Sequence, residues 1–159
     1  MRMMFGLLAA LALAVPAAAQ DAKVFDQSWS SRHWSLQGIF GDAPKRVAFI
    51  VDRESIRPVA GTDAREFSYL VTTEGMAPDQ GIISRLRVNC GEMSRVDLGK
   101  VEYFGGEPNL VPSKSGEALV IKPDAALYDT LKGVCTGDWG DSTVLDVPAT
   151  ELHARIFES

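Results

Sequence analysis

Between Trp34 and Phe104 the chain repeats one short pattern: a run of alternating or wholly apolar residues, closed by a turn that carries Gly or Pro. A period of two is the signature of β-strands, so this half of the chain reads as sheet. Trp34-Ser35-Leu36-Gln37-Gly38 alternates as a half-buried strand does, and Gly41-Asp42-Ala43-Pro44 is a turn signal. Arg46 to Asp52 is β-branched and apolar on both faces, which predicts a central strand covered on both sides. Pro58 to Asp63 reads as a loop. Glu66 to Thr73 then alternates, with Phe67, Tyr69 and Val71 on one face and Ser68, Leu70 and Thr72 on the other. After a loop from Gly75 to Gly81, Ile82 to Cys90 places Leu86, Val88 and Cys90 inward, opposite Arg85, Arg87 and Asn89. Arg95 to Phe104 changes parity partway. Val96 and Leu98 share one register and Val101 and Tyr103 the other, so Gly99 marks a β-bulge.

Helical spacing follows the strands. Asp124 is placed to cap a helix running through Ala125 to Lys132, in which Leu127, Leu131, Val134 and Cys135 recur on one side. Gly133 is predicted to end it in a left-handed turn. Ala149 to Phe157 is a further candidate helix, with Leu152 and Ile156 on one stripe. Together these elements predict one α+β domain: a mainly antiparallel sheet with a short C-terminal helix packed on it and tied to it by a disulfide.

The N-terminus reads as an export signal. Arg2 precedes an apolar run from Phe5 to Val15, Pro16 breaks it, and Ala17-Ala18-Ala19 supplies a small-residue cleavage site. The run is shorter than the ~20 residues a membrane span needs. The expected division is a signal peptide over 1–19, a loosely ordered leader over 20–31, and the folded domain over 32–159. No cysteine lies near the cut, so the mature chain is expected to be periplasmic or secreted without a lipid anchor.

Removing Arg2 leaves 15 Lys and Arg against 21 Asp and Glu, a net charge of −6. Nucleic acid and anionic lipid need a positive field and are disfavoured as partners. Cys90 and Cys135 are the only two cysteines. In an oxidising compartment, with no third competitor, they read as one disulfide. Metal binding by two distant thiolates would need further ligands that the spacing does not supply.

No nucleotide-binding, metalloprotease, calcium-loop or nucleophile-elbow motif occurs, and no cofactor or metal is expected. His33 and His153 lie near opposite ends of the chain and read as surface or boundary residues; a catalytic role would require the fold to bring them to one acidic or thiol partner. Asp138, Asp141 and Asp146 lack calcium-loop spacing and read as a solvated turn around Trp139. Trp29, Trp34 and Trp139 read as core or edge cover, with a shared groove as the functional alternative. Arg85 and Arg87, joined by Arg95 from the next strand, form a candidate basic stripe for an anion or partner. Asp52 is expected at a strand exit, where it and Ser55 fix a turn through local backbone bonds while Ile56 returns to the core.

The order of these landmarks resembles the bacterial surface-adhesin protein E family. Trp34 opens the match. Phe49-Ile50-Val51-Asp52-Arg53-Glu54-Ser55-Ile56 then follows that family's aromatic-aliphatic-Asp-x-x-Ser-Ile segment. Val88-Asn89-Cys90, the Tyr103 strand, and Pro123-Asp124 opening a helix that closes on Val134-Cys135 complete it. The resemblance implies an antiparallel sheet, a packed helix, a disulfide, and kinship with a group named for host-protein binding. This chain departs from it in lacking a lipid-attachment cysteine and in continuing well past Cys135. The expected function is therefore a non-enzymatic, adhesin-like envelope module whose partner is an extracellular or envelope protein or an acidic glycan. A small periplasmic enzyme and an envelope assembly factor are the alternatives.

Overall fold

In the computed structural model, the described residues are 28–105, 107–113 and 116–158; the export signal and residues 20–27 of the leader lie outside them. Within this span the chain forms strands β1 (Trp34–Phe40), β2 (Val47–Pro58), β3 (Ala64–Thr73), β4 (Gly81–Asn89), β5 (Ser94–Tyr103), β6 (Asn109–Pro112), β7 (Leu119–Val120) and β8 (Thr143–Leu145). Two helices follow the sheet-forming half: α1 (Tyr128–Thr136) and α2 (Ala149–Phe157), with β8 between them. All eight strands join one antiparallel sheet in the order β6-β5-β4-β3-β2-β1-β8, with β7 pairing the other end of β5. The α+β class is the one expected.

The apolar two-sidedness of β2 is the key to the layering. Ala48 and Ile50 point to one face, where Trp34, Leu70, Ile83, Val101 and Tyr103 meet Ala149, Leu152 and Ile156 of α2. Val51 points to the other, where Phe67, Leu86 and Val88 meet Leu131 and Val134 of α1. The sheet is thus packed between two helices. Cys90 and Cys135 are disulfide-bonded and bolt the end of β4 to α1.

Three local expectations differ from the structure. The α1 helix starts at Tyr128 without a side-chain cap and runs through Gly133 to a left-handed Gly137 (φ 78°). Gly133 is instead a close-packing residue: a Cβ there would come within 2.7 Å of the Trp139 ring. Asp52 does not end its strand, because β2 continues to Pro58 through a register shift between Asp52 and Arg57. Within the stretch read as leader, residues 28–30 form a helical turn, Ser28 and Ser31 are buried, and Trp29 stacks on Tyr103 at 4.3 Å.

Candidate functional site

The bulge in β5 decides which charged side chains meet. Arg95 lies opposite Val88, Asp97 opposite Leu86, and Lys100 opposite Ser84. Val88, Leu86 and Ser84 are alternate residues of β4 and share a face, so the three charged residues share it too. In an unbroken strand Lys100 would fall on the opposite face from Arg95 and Asp97. The extra residue at Leu98–Gly99 turns it back. Gly99 makes this possible with φ 129°, a backbone conformation closed to ordinary side chains, and a Cβ there would approach the Val111 carbonyl at 3.3 Å.

β6 pairs with β5 alongside this bulge, and beside them lies a groove of about 410 Å³, lined by Tyr69, Ser84, Arg95, Asp97, Lys100, Val111 and Pro112. It lies on the α1 side of the sheet, next to the tilted ring pair Phe49 and Tyr69. Arg95 Nη1 is 3.4 Å from Asp97 Oδ1, a long contact, and Arg95 Nε is buried with no hydrogen-bond partner among the described residues. Lys100 Nζ lies 2.6 Å from Glu102 Oε1 and holds that carboxyl below its usual range. The groove therefore offers a guanidinium with an unmet donor, an ammonium anchored at its rim, and hydroxyls over an apolar floor. Such a set fits a planar or tetrahedral oxyanion.

The expected stripe of Arg85, Arg87 and Arg95 is split. Arg87 lies opposite Val96 and Arg85 opposite Gly99, so Arg85 and Arg87 face the α2 side while Arg95 faces α1. On that side Glu66 stands between the two arginines. It accepts from Arg85 Nη2 and from Arg87 Nε at 3.0 Å. Burial pushes the Glu66 carboxyl up, but the Arg87 and Arg85 guanidiniums outweigh it and hold the group below its usual range.

Asp52 and Ser55 do fix local backbone. Asp52 Oδ1 accepts from the N–H groups of Glu54 (3.0 Å) and Ser55 (3.2 Å), and from the Ser31 hydroxyl at 2.6 Å. Ser55 Oγ donates to the Asp52 carbonyl and accepts from the Ser68 N–H, which pins the bulge in β2. Ile56 packs against the α1-side core. Burial raises the Asp52 carboxyl above its usual range, and the bonds from Ser31 and the two N–H groups offset this only in part.

The histidines share no partner. His33 Nδ1 is 2.5 Å from Asp146 Oδ1 on the surface, whereas His153 is buried in α2 beside Phe157. Asp138 accepts from the Gly140 N–H within its own turn, and no group of three or more His, Cys, Asp or Glu is arranged for a metal among the described residues. The tryptophans line no common groove: Trp34 is fully buried, Trp29 lies on Tyr103, and Trp139 lies under the Arg53 guanidinium. Sequence reasoning found Arg95 but missed Lys100, although the parity slip at Gly99 was the signal that brings it to the same face.

Comparison with family models and with curated proteins finds no match. Among solved structures, three of Haemophilus influenzae protein E are similar in part. One covers 57% of this chain and 79% of its own, at 19% identity and a TM-score of 0.44. Crystal form II covers 56% and 80%, at 20% identity and 0.43. The selenomethionine form covers 55% and 78%, at 20% identity and 0.42. This is a distant, partial likeness of fold. It does not extend to family membership, and nothing about ligand or partner follows from it.

Proposed function

We propose that the chain is an exported, non-enzymatic binding module of the bacterial envelope, and that the groove over the β5 bulge takes an anionic group of an acidic glycan. The observation that carries this reading is the bulge itself, which spends a left-handed glycine to set Arg95 and Lys100 on one face beside an open groove. A carboxylate or sulfate seated there would accept from the under-bonded Arg95 guanidinium and draw Lys100 from the rim. The negative charge of the chain as a whole favours a local, shaped contact over a broad electrostatic one. Export is supported by the charged, apolar and A-x-A order of the first nineteen residues and by the disulfide, which fits an oxidising compartment.

Calorimetric titration of the mature protein with a sulfated oligosaccharide tests the reading. Saturable binding that weakens with salt is expected, and Arg95→Ala should lower affinity about tenfold, or ~1.4 kcal/mol. Absence of binding, or an equal loss from Arg87→Ala on the opposite face, would reject it.

A further inference from the structure

The charges along the groove alternate and cancel. Arg95, Asp97 and Lys100 stand opposite Val88, Leu86 and Ser84, so each lies two β4 residues from the next, a step of about 7 Å along the sheet. The order is cation, carboxylate, cation. Each cation also has an acid beside it: Asp97 Oδ1 is 3.4 Å from Arg95 Nη1, and Glu102 Oε1 is 2.6 Å from Lys100 Nζ. These charges sum to zero, in a chain whose acids outnumber its bases. A densely charged polyanion therefore finds no positive field here.

Asp97 decides what the groove accepts. Its side chain is half-exposed and stands between the two cations on the face they share. An ionised carboxylate is an acceptor only. A hydroxyl or amide N–H laid against it donates a hydrogen bond, whereas a sulfate or second carboxylate laid there meets a like charge, which acts against the wrong ligand. Arg95 keeps donors for a ligand anion, because its contact with Asp97 is long and made through Nη1. We propose that Asp97 makes the groove selective for a sparsely charged acidic glycan, in which a uronic acid alternates with an unsulfated sugar. The proposal rests on the groove being the glycan site.

The floor fits such a chain. Tyr69 lies opposite Ser84, Ser84 opposite Lys100, and Lys100 opposite Val111, a row set across four strands on one face. A sugar lying on that row has the apolar body of Tyr69 and Val111 against its C–H groups and the Ser84 hydroxyl against its oxygens. At about 410 Å³ the groove is of small-ligand size and takes a short stretch of glycan. The uronate carboxylate takes the Arg95 guanidinium, and a hydroxyl or acetamido N–H of the neighbouring sugar donates to Asp97. Lys100, on its flexible stem, reaches the next carboxylate along the chain.

The test is calorimetric titration of the full mature chain and two Asp97 variants with a pair of tetrasaccharides. One alternates glucuronate with N-acetylglucosamine and carries no sulfate; the other has the same backbone with sulfate on every sugar. Wild type should bind the unsulfated chain about tenfold more tightly. Asp97→Asn keeps an acceptor oxygen without the charge, so affinity for the sulfated chain should rise about tenfold while that for the unsulfated chain stays within about threefold. Asp97→Ala removes the acceptor too, and the unsulfated chain should then bind about tenfold more weakly than to wild type. Equal or tighter binding of the sulfated chain by wild type, or a gain for both chains in Asp97→Ala, would overturn the selectivity while leaving the groove as a glycan site. Binding of neither chain would reject the groove as a glycan site and the selectivity with it.

Discussion

Replacing both cysteines with alanine removes the one covalent tie between sheet and helix, and its cost can be worked from the chain. Cys90 and Cys135 are 45 residues apart. Opening a loop of that length returns about 4 kcal/mol of entropy to the unfolded chain in the loop-closure treatment. A domain of this size has about 5–15 kcal/mol to lose, so the variant folds with a narrow margin. The damage should begin at α1. Nine residues are too few to hold a helix alone in water, so the element depends on burying Leu131 and Val134 against Phe67, Leu86 and Val88. Guanidinium melts of the oxidised wild type and the Cys90→Ala/Cys135→Ala variant provide the assay, with unfolding slopes compared to confirm that both unfold from the same compact state. A lowered midpoint equivalent to about 4 kcal/mol is expected, with α1 amides losing exchange protection before those of β2 and β3. A loss under about 1 kcal/mol would show that the apolar contacts of α1 suffice and that the cross-link argument is wrong.

Three further outcomes follow from the packing and charge. Asp52→Ala removes an acceptor for two N–H groups and a hydroxyl and should lower stability by about 1–2 kcal/mol in denaturant melts at neutral pH, whereas an unchanged midpoint would deny it a structural role. Gly133→Ala sets a Cβ 2.7 Å from the Trp139 ring; overpacking of ~1–3 kcal/mol should exceed the ~1 kcal/mol helix-propensity gain, seen as a lowered Tm with altered tryptophan emission. Glu66, held below its ordinary value of 4.5 by two arginines, stabilises the fold above that pH and loses the contribution as pH falls through its folded value. Wild type should therefore lose stability relative to Glu66→Gln in acid melts, and parallel curves would contradict the pairing.

The parts of the fold legible from sequence are those where one strong local signal decides. The two-faced apolar run at Arg46–Asp52 could only be a strand covered on both sides, and α1 and α2 supply the two covers. The parity slip at Gly99 announced the bulge because a two-residue period makes any slip visible. The short strands β6, β7 and β8 went unread, since two to four residues carry no period and their pairing is set by the strands they join. Gly133 was misread for a related reason: a glycine near a helix end signals a stop locally, but here it serves contact with Trp139, a ring beyond the helix. The basic stripe failed on register. Alternation within β4 and β5 was visible, but whether Arg95 stands opposite Val88 or Arg87 depends on the hairpin between them. Ser31 stayed hidden as a partner of Asp52 because 21 residues separate them and no periodicity links a turn to a bulge.

The groove is tested most directly by mapping a ligand onto the protein. The mature chain, labelled with nitrogen-15, is titrated with a sulfated disaccharide while backbone and arginine side-chain signals are followed. The account predicts saturable shifts centred on Ser84, Arg95, Asp97, Lys100 and Val111, including the Arg95 Nε–H that has no partner among the described residues. Shifts confined to Arg85, Arg87 and Glu66 on the α2 side of the sheet, or no saturable shifts at all, would contradict it.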